Sequence, residues 1–110
     1  MLKQNVLTVQ VNYEYGKNVF LPYSVGLLQA YAMSIPEVRE SFRFLEPIYL
    51  RRNPVDVVQS TERPAVACFS SYIWNWEYNK TLARLLKMAF PECLIVFGGT
   101  QVPNASEHFF

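Results

Sequence analysis

Residues that signal metal, phosphate or extracellular chemistry are scarce in this chain. Two cysteines, Cys68 and Cys93, occur in 110 residues, each inside an apolar run, and neither their spacing nor their surroundings form a metal motif. Small secreted domains are usually richer in cysteine, so both read as free buried thiols in a reduced compartment, with the cytoplasm as the default location. No apolar stretch approaches the roughly 18 residues of a membrane span, and Gln4 and Asn5 stand where a signal peptide would be apolar. An excess of one charge is also lacking. Ten Lys and Arg face nine Asp and Glu for a net charge of +1, and the longest basic cluster is the pair Arg51 and Arg52. That balance argues against a nucleic acid or a membrane surface as partner. Neither G-x-x-x-x-G-K-[ST] nor G-x-G-x-x-G occurs, which removes nucleotide triphosphates and dinucleotides.

What is present suits one packed core. Hydrophobic residues make up 51% of the chain, aromatic ones 15% and charged ones 17%, a globular balance with room for a single domain. Val6 to Val11 is apolar at nearly every position and β-branched, as in a strand buried on both faces. Residues 12 to 18 form a loop, and a helix is predicted from Pro22 through Val25, Leu28, Tyr31 and Ala32 until Pro36 limits it. Gly26 lies inside that helix, where glycine costs about 1 kcal/mol against alanine, so a close approach of backbone, sheet or ligand is expected there.

Phe42 to Leu50, with Arg43, Glu46 and Pro47, reads as an outer strand, and a short helical turn follows around Val55 to Ser60. Ala65 to Ser70 is a central parallel strand ending in hydroxyls. Tyr78, Leu82, Leu85, Leu86 and Ala89 mark an amphipathic helix stopped by Pro91, and Cys93 to Phe97 is a fourth strand. The alternation βαβαβαβ, without internal repeats, predicts an α/β, flavodoxin-like (Rossmann-like) open parallel sheet with right-handed crossovers. Only Thr100 to Phe110 remain after the fourth strand. The expected fold is therefore truncated after that strand, as in an N-terminal fragment of a longer protein, or else its edge is completed by a partner chain.

In open parallel sheets, ligands bind outside the carboxyl ends of the strands, near the point where strand order reverses. Three stretches there are rich in small, hydroxyl and aromatic residues: 12–18, 70–76 and 98–101. The pair Gly98 and Gly99 lets a backbone approach a bulky ligand, Ser70 and Ser71 offer hydroxyls, and Tyr72 and Trp74 offer wide apolar faces. A large flat ligand fits that set. Each cue also has a plainer reading: a Gly-Gly pair can be a simple turn, Tyr23 and Ser24 can cap and pack the first helix, and Asn75 suits a helix N-cap. Trp76 reads as packing, and Glu14 and Glu77 as solvated carboxylates without a histidine partner.

The strings Leu21-Pro22-Tyr23-Ser24-Val25-Gly26-Leu27-Leu28, Phe69-Ser70-Ser71-Tyr72-Ile73-Trp74-Asn75 and Val96-Phe97-Gly98-Gly99-Thr100-Gln101-Val102-Pro103 resemble the N-terminal cobalamin-binding domain of cobalamin-dependent radical S-adenosylmethionine enzymes. The resemblance spans nearly the whole chain, so that residues 1–110 would form one cobalamin-binding-like domain. Such domains more broadly carry D-x-H-x-x-G after the first strand, Ser-x-Leu after the third and a later Gly-Gly. Here Ser70-Ser71-Tyr72 takes the second place, and 25 residues separate Tyr72 from Gly98, slightly short of the usual spacing. With Gly16 on the first motif's glycine, Val11 stands at its aspartate and Tyr13 at its histidine.

The resemblance therefore implies cobalamin held without a histidine lower ligand, with Tyr72 or Trp74 against the lower cobalt face. Its implied contacts are Tyr13, Gly16, Ser24, Ser70, Ser71, Tyr72, Trp74, Asn75, Gly98, Gly99, Thr100 and Gln101. The lone His108 reads as solvated surface, and no catalytic or metal-ligating residue is assigned. The radical half of such enzymes needs three cysteines in C-x-x-x-C-x-x-C spacing for a four-iron four-sulfur cluster, which this sequence does not contain. By the resemblance, cluster and S-adenosylmethionine would belong to an absent C-terminal part, and the chain would bind cofactor for a parent enzyme, such as a methyltransferase, rather than catalyse alone. Two other readings stand beside this one. The first is a ligand-free α/β interaction module completed by a partner or a homodimer, and the second a flavin or small-molecule binder of the same fold.

Overall fold

The protein is described by a computed structural model covering residues 2–12 and 21–103. The elements run β1 (Gln4–Val9), α1 (Tyr23–Met33), α2 (Pro36–Ser41), β2 (Phe42–Phe44), α3 (Pro54–Ser60), β3 (Val66–Ser70), α4 (Trp76–Ala89) and β4 (Leu94–Gly98). All pairings are parallel, in the order β2-β1-β3-β4. That order and the flanking helices are the flavodoxin-like layout expected from the alternating pattern. The chain leaves β1 toward β2 on one side and returns past it to β3 on the other. The topological switch point thus lies between the carboxyl ends of β1 and β3.

Alternation along the strands sorts the apolar residues between two faces. Leu7, Val9, Ala67 and Phe69 pack with Val57 of α3 and Tyr78, Leu82, Ala83 and Leu86 of α4 in one buried cluster, which Ile95 and Phe97 adjoin. Phe69 and Phe97 are register partners, and their rings stack at 5.1 Å. The opposite face is covered unevenly. Thr8 and Gln10 are buried there, whereas Leu94 and Val96 of β4 are 60% and 41% exposed.

α4 follows its predicted stripe, with Tyr78, Leu82 and Leu86 buried. α1 does not. Of the stripe Val25, Leu28, Tyr31 and Ala32, Val25 alone is fully buried, while Leu28 and Tyr31 are exposed. The helix is apolar on all sides, so its sequence cannot choose a buried face. The close approach expected at Gly26 is also not found among the described residues, since an added Cβ would meet nothing within 4 Å.

The strand predicted over Phe42 to Leu50 is shorter than expected, and the reason is Pro47. Leu45 donates its N–H to the Val6 carbonyl, and the next bond in a regular parallel ladder would come from residue 47. Proline has no N–H to give. Pairing slips by one residue, so Ile48 donates to Thr8 and accepts from Gln10, both at 2.9 Å, leaving an isolated bridge from Ile48 to Val9. Pro36, expected only to limit α1, also opens α2 at its first turn, where the missing donor costs nothing.

Candidate ligand-binding rim

The carboxyl ends of β1, β3 and β4 meet in a hydrogen-bonded rim. Ser71 follows β3 directly; its N–H donates to the Gly98 carbonyl at 2.8 Å and its own carbonyl accepts from Gln101 N–H at 3.4 Å, joining the two loops. At Gly99 the backbone turns through a φ of +101°, and a Cβ there would stand 2.3 Å from the Ser71 carbonyl oxygen. The protein's own chain therefore demands this glycine. Gly98 differs: its φ is ordinary, and the nearest atom to an added Cβ is the Phe69 carbonyl oxygen at 4.0 Å. Both glycines are exposed, and the protein's own packing would accept a small side chain at Gly98 but not at Gly99.

Tyr72 and Trp74 stack with ring centroids 4.8 Å apart and planes 8° from parallel, and Trp74 remains 42% exposed. The turn carrying them is tied from inside and outside. Inside, Asn75 is fully buried; its side-chain oxygen accepts the Tyr72 N–H at 2.8 Å, and its amide nitrogen donates to the Val11 and Ser70 carbonyls at 2.9 Å each. Asn75 occupies the N-cap position of α4, yet its side chain makes no capping bond to the helix. Outside, the Arg51 guanidinium donates to the Trp74 carbonyl at 2.6 Å and lies over the Tyr78 ring at 5.4 Å.

Of the residues singled out in the sequence, Tyr72, Trp74, Gly98, Thr100 and Gln101 offer accessible surface on this rim, while Ser71 and Asn75 are buried within it. Ser70 is half-buried, its carbonyl taken by Asn75 and Asn79. Ser24 lies in the first turn of α1, which Gln10 and Asn12 fasten to the end of β1: Gln10 accepts the Val25 N–H at 3.0 Å, and Asn12 donates to the Leu21 carbonyl at 3.1 Å. Tyr13, Gly16, Glu14 and His108 lie outside the described residues. Trp76 packs edge-on against Phe97 with Lys80 over its ring, and Glu77 pairs with Lys80 at the surface.

Sequence reasoning missed Gln10, Asn79 and Arg51. Gln10 could have been found as the one polar residue between Val9 and Val11, and Asn79 by its position four after Asn75 on the same helix face. Nothing local distinguishes Arg51.

Burial pushes the Cys68 thiol above its ordinary pKa. Cys93 is raised chiefly by burial, with Lys87 opposing, and Tyr78 chiefly by burial, with Arg51 and Arg52 opposing. Both thiols are thus held neutral rather than activated. Among the described residues no three Cys, His, Asp or Glu side chains gather as a metal site, and no helix is long and apolar enough to cross a membrane.

No family model matches the chain. Over 91 residues, 83% of its length, it is 36% identical to 2-(S-pantetheinyl)-carbapenam-3-carboxylate methyltransferase of Streptantibioticus cattleyicolor. Over an equally long stretch it is 33% identical to the cobalamin-dependent radical SAM methyltransferase TokK of Streptomyces tokunonensis. Both relatives are methyltransferases. The chain spans 13% of the length of each.

Proposed function

We propose that the chain is a cobalamin-binding domain of a radical S-adenosylmethionine protein, taking the corrinoid at the carboxyl ends of β1, β3 and β4. The observation that carries this reading is the 33% identity to a cobalamin-dependent radical SAM methyltransferase across 83% of the chain. The rim's chemistry fits the group. A partly exposed aromatic stack at the switch point offers an apolar surface, and the exposed backbone at Gly98 leaves a bulky neighbour room that a side chain would obstruct. Tyr72, Trp74, Gly98, Thr100 and Gln101 would touch the corrinoid, with Tyr13, Gly16 and Ser24 contributing from the β1 side. Ser70, Ser71, Asn75 and Gly99 shape the rim.

Bound cobalamin supplies a cobalt that can accept and deliver a methyl group. The described residues contain no histidine, and in this reading Tyr72 or Trp74 would lie against the bound corrinoid where a histidine is lacking. Apolar packing there would exclude water from the bound group. With two cysteines the chain does not itself furnish the three-cysteine set of a four-iron four-sulfur cluster. The cluster, S-adenosylmethionine and any methyl transfer belong to the longer protein.

The test is retention of colour. Protein mixed with hydroxocobalamin is expected to carry a corrinoid absorption band through gel filtration, with riboflavin 5′-phosphate as a parallel sample. Loss of the corrinoid on desalting overturns the proposal, and retention of the flavin alone moves the site to the flavin-binding reading.

A second reading has its own support. Leu27, Leu28 and Tyr31 on α1 and Leu94 and Val96 on β4 are exposed large apolar side chains, of the kind that mark association surfaces. An interaction module predicts concentration-dependent association in sedimentation velocity, weakened by Leu28→Glu, with no bound chromophore.

A further inference from the structure

We infer that Asn75 is the positioning residue of the rim: one buried side chain fixes the Tyr72–Trp74 stack to the ends of both β1 and β3. Its two amide hydrogens go to the Val11 and Ser70 carbonyls, and its oxygen takes the Tyr72 N–H. The end of β1 and the turn that follows β3 are thereby held together by one amide. The capping role suggested by its place before α4 does not account for it, because the side chain makes no bond to that helix's free N–H groups.

Residue chemistry narrows the position to asparagine. Aspartate keeps the acceptor and lacks both donors, alanine lacks all three bonds, and glutamine is one methylene too long for a site with no exposed surface. Asn79 braces the arrangement from the next turn of α4, its amide nitrogen lying 3.4 Å from the Asn75 oxygen, 3.2 Å from the Ser70 carbonyl and 3.1 Å from the Ser71 hydroxyl. Arg51 tethers the same turn from outside at the Trp74 carbonyl. The aromatic platform is therefore preformed, and its order depends on Asn75 more than on the exposed tether. A preformed platform saves a ligand the cost of ordering the loop.

The experiment uses the full chain with Trp76→Phe, which leaves Trp74 as the sole tryptophan. Asn75→Ala and Asn75→Asp are compared with Arg51→Ala. Both Asn75 variants are expected to keep the far-UV circular dichroism while losing the near-UV signature of the stack and gaining acrylamide quenching of Trp74. Arg51→Ala should change each less. Unchanged near-UV signal and quenching in Asn75→Ala would overturn the inference. Should the Asn75 variants fail to fold, hydrogen exchange on the unaltered chain decides. The Tyr72 amide is expected to exchange about tenfold or more slower than that of Ile73, and equal rates would reject the role.

A further arm rests on the proposed function: hydroxocobalamin affinity is expected to fall about tenfold or more in Asn75→Ala, the worth of one lost buried hydrogen bond. If the unaltered chain retains no corrinoid, the proposed function fails while fluorescence and exchange still judge the positioning role. If it retains corrinoid and Asn75→Ala retains it equally, the positioning role fails alone.

Discussion

A Cβ on Gly99 would stand 2.3 Å from the Ser71 carbonyl oxygen and 2.7 Å from its nitrogen, while one on Gly98 would meet only the Phe69 carbonyl oxygen, at an ordinary contact distance of 4.0 Å. Alanine at these neighbouring positions should therefore have opposite consequences. Gly99→Ala is expected to destabilise the protein by about 1–3 kcal/mol from the left-handed backbone alone, with the clash adding to it. Gly98→Ala should shift stability by no more than about 0.5 kcal/mol and act on corrinoid retention instead. Denaturant midpoints of the two variants beside their retention of hydroxocobalamin check both. A Gly-Gly pair after a strand suggests a turn or a ligand cradle but does not say which glycine serves which purpose. That distinction depends on Ser71, 28 positions earlier than Gly99 in the chain and brought under it by parallel pairing of β3 with β4.

Elements differ in how far their own residues specify them. β1, β3 and β4 were legible as apolar runs, though displaced by one or two residues, because burial on a parallel sheet demands such runs. The apolar stripe of α4 was legible for the same reason. β2 was overextended because the effect of Pro47 on pairing appears only against its neighbour β1. α1 is the least self-determined element: apolar on all sides, with no capping side chain of its own, it receives Gln10 of the β1 end as a distant cap for the Val25 N–H. Gln10→Ala is expected to cost about 1–3 kcal/mol by leaving that buried donor unpaired. Amide exchange should show the loss concentrated in the first turn of α1. Gly26→Ala should stabilise the ligand-free protein by about 1 kcal/mol, since nothing among the described residues requires a glycine there. Thermal unfolding gives the sign, and a simultaneous fall in corrinoid retention would place ligand beside Gly26.

For the whole molecule, the two thiols and Tyr78 share one direction of pKa shift. Each is held above its ordinary value mainly by burial, so the folded state keeps protons that the unfolded chain releases first. Stability from these groups is present below the free thiol range and is lost as pH rises through it toward the raised folded values. Urea midpoints measured from neutral pH to about pH 10 should fall progressively, and Cys68→Ala with Cys93→Ala should flatten the decline. A midpoint that rises over that interval would contradict the burial of these groups.

The sequence by itself determined the alternating α/β pattern, the parallel sheet, and the rim on which small and aromatic residues gather. Those features follow from local patterning: periodic burial, proline and glycine positions, and the rule that strand ends carry the variable loops. Only the tertiary structure decided which residues on that rim are surface and which are scaffold. Ser71 and Asn75 look in sequence like ligand contacts, yet both are buried and committed to the protein's own backbone. The physical reason is that a polar side chain's role depends on which donors and acceptors reach it. At Asn75 one of the three bonds runs to Val11, 64 positions away in sequence, a separation that no local pattern encodes.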